Sequence, residues 1–242
     1  MAKFGFPMPI LPGKEARILE AVRQTQDRIA EHEESRRNAG ITLERAWLQR
    51  NPDGSTLLVV YDEAERGFVD VVRAFVTSGL EYDRWFLDLN QEISGIDFRQ
   101  PPAEAAGPEH VASWEAPGGG RGKGVAFAAP LAEGKTEAAR AWAQEAFEKR
   151  REELTRSRLA LGQLREEVFL NRTPMGDIAV VYLEGEDPVR ANARFAASQE
   201  PYDRWFKDSL KDLFPPYVDF DQPVPPNQQV FDWMRSQAPT TG

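Results

Sequence analysis

An α+β protein built from two copies of one β-α-β-β-α-β unit is what the sequence predicts, on three observations. The segment Glu81-Tyr82-Asp83-Arg84-Trp85-Phe86 recurs 120 residues later as Pro201-Tyr202-Asp203-Arg204-Trp205-Phe206. Gly40, Pro52 and Gly54 recur as Gly162, Pro174 and Gly176, and Asp97-Phe98 and Gln100-Pro101 recur as Asp219-Phe220 and Gln222-Pro223, all 122 residues apart. Gly13-Lys14 returns as Gly134-Lys135, each with a proline four residues earlier. Ordered landmarks with a slightly drifting offset mark a duplicated unit of about 100 residues with small insertions.

Each copy opens with a short apolar run, Phe4-Gly5-Phe6 and Val125-Ala126-Phe127-Ala128. A long helix is expected next, about Gly13 to Asn38 and about Gly134 to Leu159, because Ala, Glu, Arg and Gln dominate there. Ile18, Val22 and Ile29 read as its apolar stripe in the first copy, and Trp142, Ala146 and Leu154 in the second. Gly40 and Gly162 suit the helix exits. Strands follow at Thr42–Arg50 and Thr56–Tyr61, then at Gln163–Arg172 and Ile178–Leu183. The turns Asn51-Pro52-Asp53-Gly54 and Thr173-Pro174-Met175-Gly176 make each pair a hairpin. A second helix covers about Gly67–Thr77 and Pro188–Ala197, and the Tyr-Asp-Arg-Trp-Phe helix packs after it. Tyr82, Trp85, Phe86 and Leu89 have core spacing, which makes the repeated motif structural. Asp83 and Asp203 then sit in a first turn, where a carboxylate favours the helix dipole. Last strands are expected at Ile96–Phe98 and Val218–Phe220. This order is that of a ferredoxin-like unit. The copies span 1–100 and 125–221, joined by a Pro- and Gly-rich linker, 101–124. The Pro-rich tail, 222–242, carries Phe231, Trp233 and Met234 and is expected to pack back on the body.

Composition bounds the function. The 242 residues carry a net charge of −9, which argues against a nucleic-acid partner. There is no cysteine, so disulfides, Fe–S clusters, thiolate zinc sites and a cysteine nucleophile are excluded. No apolar run approaches ~20 residues, and Met1 to Pro12 does not read as a signal peptide, so no membrane partner and a cytoplasmic location are expected. Two motif likenesses fail. His32-Glu33-Glu34-Ser35-Arg36 has Arg where a zinc protease needs its second His. In Gly118–Gly124, Pro117 replaces the first Gly of a phosphate loop and Gly124 follows Lys123 where Ser or Thr is required.

The paired units, with Ser-x-x-x-Tyr-Asp-Arg-Trp-Phe at Ser78–Phe86 and Ser198–Phe206, resemble uncharacterised members of the dimeric α+β barrel superfamily. That group includes antibiotic-biosynthesis-monooxygenase-like proteins, small polyketide cyclases, haem-degrading monooxygenases and chlorite dismutases. The resemblance implies two four-stranded sheets closing a barrel. With both halves in one chain, it implies an intramolecular barrel and a monomer with internal pseudo-two-fold symmetry.

Strand alternation points Ala46, Leu48, Val168 and Leu170 toward the helices. The opposite faces carry Arg45, Trp47 and Gln49 in one copy and Arg165, Glu167, Phe169 and Asn171 in the other. Aromatic and charged side chains together suit a ligand cavity, with Trp47 and Phe169 stacking and Arg45 and Asn171 binding. The same residues can instead pair across the pseudo-two-fold or face water. Arg165 would hold a carboxylate or enolate, and Glu167 or Tyr182 would move protons; Tyr61 and Tyr182 can equally be ordinary strand tyrosines. The second copy supplies more polar groups, so one site per chain, dominated by that copy, is expected. No metal and no cofactor are implied. His32 reads as a half-buried or solvent histidine, and His110, in the linker, as a weaker candidate still. The expected function is binding of a small molecule, as a cofactor-independent monooxygenase, cyclase or isomerase on an aromatic or polyketide-like substrate. The alternative is a non-catalytic structural or assembly protein with a filled barrel.

Overall fold

The computed structural model describes residues 1–100, 107–174, 176–224 and 227–236. The first copy contains β1 (Ala2–Ile10), α1 (Glu15–Asp27), α2 (Ile29–Ala39), β2 (Ile41–Arg50), β3 (Thr56–Ala64), α3 (Phe68–Thr77) and α4 (Glu81–Ser94). Then comes β4 (Glu109–Glu115). The second copy contains β5 (Lys123–Pro130), α5 (Thr136–Gln144), one π-helical turn (Glu145–Lys149), α6 (Arg151–Leu161), β6 (Gln163–Thr173), β7 (Gly176–Gly185), α7 (Pro188–Ala197) and α8 (Pro201–Leu210). The last strand is β8 (Gln228–Met234). The fold is α+β with two four-stranded sheets, ordered β1-β3-β2-β8 and β4-β6-β7-β5.

The fourth strands correct the sequence reading. Residues 96–98 and 218–220 form no strand but irregular segments that run into turns, where Asp97 accepts from the Arg99 amide (3.0 Å). The fourth strands lie further on, in the expected linker and tail. β4 follows the first copy yet joins the second sheet, and β8 follows the second copy yet joins the first sheet. Accordingly, among the described residues one compact unit comprises 1–4, 8–100 and 229–236, and the other 5–7, 107–174, 176–224 and 227–228. The two strands are themselves a repeat: Val111-Ala112-Ser113-Trp114 matches Val230-Phe231-Asp232-Trp233 at an offset of 119.

Each expected long helix is two helices. In the first copy the break is at Arg28, and in the second at Arg150 (φ −103°). The second copy has one residue more than the first between Gly134 and Arg150, since the offset grows there from 121 to 122. The π-turn at Glu145–Lys149 absorbs it, as such turns do. Gly40 and Gly162 end their helices in the left-handed region (φ 79° and 80°), which favours glycine. Ile29 is not part of the buried stripe; it is exposed, and Ile18, Ala21 and Thr25 face inward instead.

The first unit's core gathers Met8, Ile10, Ile18, Ala21, Leu48, Leu89 and Ile93. The second unit's includes Ala112, Trp114, Leu154, Val168, Leu170, Ala179 and Phe206. Ala112 and Trp114 come from β4, so that strand is part of the core. Trp114 is fully buried and donates its indole N–H to Thr155 Oγ1 (3.0 Å). Trp114→Ala is therefore expected to cost about 3–5 kcal/mol in denaturant unfolding. Its counterpart Trp233 is only half-buried, so Trp233→Ala should cost clearly less. Equal losses would contradict this account of β4.

The Tyr-Asp-Arg-Trp-Phe helices are structural, and the reason is visible. Arg36 is buried and holds Glu44 through two bonds (2.6 and 2.9 Å) while lying 4.3 Å over the Phe86 ring. Arg158 repeats this on Glu166 (2.5 and 3.3 Å) and Phe206 (4.5 Å). Ser35 donates to Asp83, and Ser157 to Asp203. Arg28 lies over Tyr82 and Trp85, and Arg150 over Tyr202 and Trp205. The motif is one wall of a buried arginine–aromatic stack. Its aspartates serve as acceptors for serines of the preceding helices.

Candidate functional site

The second sheet has two faces. Val168, Leu170 and Ala179 point to the helices. On the other face of β6 stand Arg165, Glu167, Phe169 and Asn171, alternate residues of one strand. Strand register sets Glu167 opposite Tyr182 and Arg165 opposite Glu184 on β7. On the other side of β6, β4 sets His110 opposite Phe169 and Glu115 opposite Arg165.

These placements build a polar chain. His110 Nε2 lies 2.7 Å from Glu167 Oε2, and the imidazole stacks on the Phe169 ring, 4.7 Å between centroids and 22° between planes. Arg165 bonds Glu115 (3.0 Å) and reaches Glu167 (3.9 Å). Tyr182 donates its hydroxyl to Glu184 (2.7 Å), which also accepts from the Gly122 amide (2.7 Å) and faces Arg121 (3.5 Å). Glu167 is wholly buried, whereas the His110 side chain keeps 33% of its surface. Asn171 donates to the Gly5 carbonyl (3.0 Å), and a Cβ on Gly5 would lie 2.3 Å from Phe169.

Of the residues singled out from sequence, Arg165, Glu167 and Phe169 thus belong to one continuous cluster, with Tyr182 opposite Glu167. Arg45 and Trp47 lie in the first unit, where Arg45 bonds Asp232 of β8 (2.9 Å) and Trp47 is buried. The reading of His110 as a linker residue is corrected: it is a strand residue in contact with two of the candidates. The signal that could have placed it is the repeated Val-x-x-Trp strand just after it. Tyr182 gives its hydroxyl proton to Glu184. The first unit has Gln229 and Arg45 where the second has His110 and Glu167, so the histidine–carboxylate pair is not duplicated.

A second polar cluster lies under the helices of the first unit. His32 is fully buried, which corrects the reading of it as a half-buried or solvent histidine. Tyr82 OH lies 3.1 Å from both His32 Nδ1 and Thr25 Oγ1. His32 Nε2 has no hydrogen-bond partner among the described residues and is 3.6 Å from Glu44 Oε2. Asp62 stands beside Glu44 in register, with Oδ1 unpartnered among the described residues. Burial, and then the neighbouring Arg36 charge, lower the His32 pKa to about 4 against the partial pull of Glu44. Burial, and then Glu44, hold the Asp62 carboxyl well above the usual carboxylate range. Burial alone would raise Glu44 too, but the Arg36 charge and bonds outweigh it and keep it ionised. In the second unit His32 and Asp62 are matched by the apolar Leu154 and Leu183, whereas Glu44 and Tyr82 are matched by Glu166 and Tyr202.

Among the described residues no group of three or more His, Asp and Glu side chains is arranged to hold a metal ion, and no helix is long and apolar enough to cross a membrane. No family model and no curated protein matches the sequence. Solved structures do match. An anthrone oxidase-like protein superposes with a TM-score of 0.50 at 13% identity, over 96% of this chain and 92% of its own. That match shows the fold: this chain has the α+β architecture of the anthrone oxidase-like protein. A presumed monooxygenase from Fusobacterium nucleatum subsp. nucleatum aligns over 98% of this chain and 95% of its own, at 7% identity and a TM-score of 0.49. Another, from Lactobacillus acidophilus, covers 87% of both chains at 8% identity and a TM-score of 0.47.

Proposed function

We propose that the protein binds a small organic molecule at the second sheet and that His110 is its general base. The carrying observation is the 2.7 Å contact between His110 Nε2 and the wholly buried Glu167. With Glu167 accepting the Nε2 proton, Nδ1 carries the lone pair that takes a proton from a substrate. Glu167 then stabilises the imidazolium, and Phe169 keeps the ring plane fixed. Arg165 would hold the developing phenolate or enolate. A weakly acidic aromatic or polyketide-like substrate fits this set, and the anthrone oxidase-like protein of the same fold is named for such a compound. Cofactor-independent oxygenation, cyclisation and isomerisation all begin with this deprotonation. The chain is expected to do this as a monomer.

Anthrone is the probe. Titration calorimetry should show one site per chain, and Arg165→Ala should weaken it by about 1.5–3 kcal/mol. His110→Gln should slow anthrone turnover about 10²–10⁴-fold while leaving binding within a few-fold. Unchanged turnover in His110→Gln, or two equivalent sites, would overturn the assignment. A second reading, a non-catalytic module, draws support from Phe169, Tyr182, Glu167 and Glu184, all at zero exposure. It predicts no binding of anthrone or its phenolic analogues.

A further inference from the structure

The two matching strands β4 and β8 are fastened to their sheets differently. On β4, Trp114 is sealed into an apolar core that contains Leu154. On β8, Phe231 and Trp233 set their rings edge-to-face on His32, at 5.2 and 5.1 Å between centroids. His32 stands at the position of Leu154 in the other copy. A leucine would give those rings a better apolar seat, so the histidine gives up packing for a group that can take a charge.

We propose that β8 is an acid-sensitive clasp: protonating His32 releases the strand Gln228–Met234 from the edge of the first sheet, while β4 stays in the second. The groups facing His32 leave an imidazolium poorly served. Arg36, one turn on along α2, repels it. Glu44 of β2 attracts it but is committed to Arg36 by two bonds. Asp62 of β3, beside Glu44, has its carboxyl pushed up by burial and by Glu44, which works against the charge that would serve the ring. Tyr82 of α4 and Thr25 of α1 are neutral. From β8, Asp232 is paired with Arg45; just beyond the strand, Arg235 is paired with Glu65 (2.7 Å). The charged ring therefore needs water. α2 and α4 are bound together by the Ser35–Asp83 and His32–Tyr82 contacts. β8 is an edge strand whose residues are half-buried or exposed, so it is the cover that opens most easily.

Hydrogen exchange of the full chain at pH 7 and pH 4, expressed as protection factors, tests this. Amides of residues 228–234 should lose at least tenfold in protection at pH 4, while those of 109–115 change less than threefold. In His32→Leu the loss at 228–234 should vanish; should that variant not fold, His32→Gln keeps a neutral side chain there and should behave alike. Parallel loss in both strands would mean global loosening and overturn the clasp. So would full protection of β8 at pH 4, or the same loss in the variants.

Discussion

Replacing Arg158 with leucine is expected to destabilise the protein by about 3–5 kcal/mol. The guanidinium is 2% exposed and lies between Glu166, which it bonds at 2.5 Å, and the Phe195 and Phe206 rings. Its removal strands the Glu166 carboxylate, itself only 5% exposed, in an apolar surround. Asp203 is less affected, since Ser157 and Ser198 both donate to it. Most of the expected loss is thus the penalty of an uncompensated charge rather than the worth of the pair. That distinction has its own test. Arg158→Leu/Glu166→Leu removes both charges and should recover most of the stability, since well-packed apolar replacements of buried pairs are often neutral or better. Urea unfolding decides it: a single-variant loss under about 1 kcal/mol, or a double variant no better than the single, would show that the pair is not buried as described.

The second large effect is on pH dependence. His32 titrates near 6.5 in the unfolded chain and at about 4 in the folded one. Between these values the unfolded state binds the extra proton, so stability falls as the solution is acidified and recovers as pH rises. The difference amounts to about 3 kcal/mol once pH is below 4. Asp62 has the opposite sign. Its folded carboxyl is raised, so the folded state holds the extra proton, and its contribution is lost as pH climbs above the ordinary carboxylate range. Stability differences between wild type and His32→Leu, measured at pH 7, 5.5 and 4, should therefore grow steadily in favour of the variant. A difference independent of pH would mean that the imidazole is solvated in the folded protein. Asp62→Leu, which copies Leu183, should gain relative to wild type as pH rises instead.

The repeat carried most of the fold. Helix exits at glycine, hairpin turns at Asn-Pro-Asp-Gly and the core spacing of Tyr82, Trp85 and Leu89 are local signals, and local signals are what a chain displays in order. The fourth strands were hidden because a strand at a sheet edge is short, half-polar and paired with a distant partner. Val-x-x-Trp inside a Pro-rich segment gives no periodicity of its own; only the comparison of 111–114 with 230–233 exposes it. His110 was set aside for the same reason. The burial of His32 was illegible because a polar residue on a polar helix signals solvent, and only the Tyr82 hydroxyl and the β8 rings reverse that. In β6 the period-two pattern was enough to separate Val168 and Leu170 from Glu167 and Phe169. It did not show which charges would pair.

The placement of β8 also sets a schedule for biosynthesis. Arg45 meets Asp232 across 187 residues of chain, whereas His110 meets Glu167 across 57. A chain emerging N-terminus first can complete the second sheet before the first, although the first sheet's three other strands appear on the ribosome well ahead. During that interval β2 is an unpaired edge, open to mispairing with any nascent strand nearby. Deleting the last 15 residues would accordingly damage the half of the protein made earliest. The half made last would keep all four of its strands.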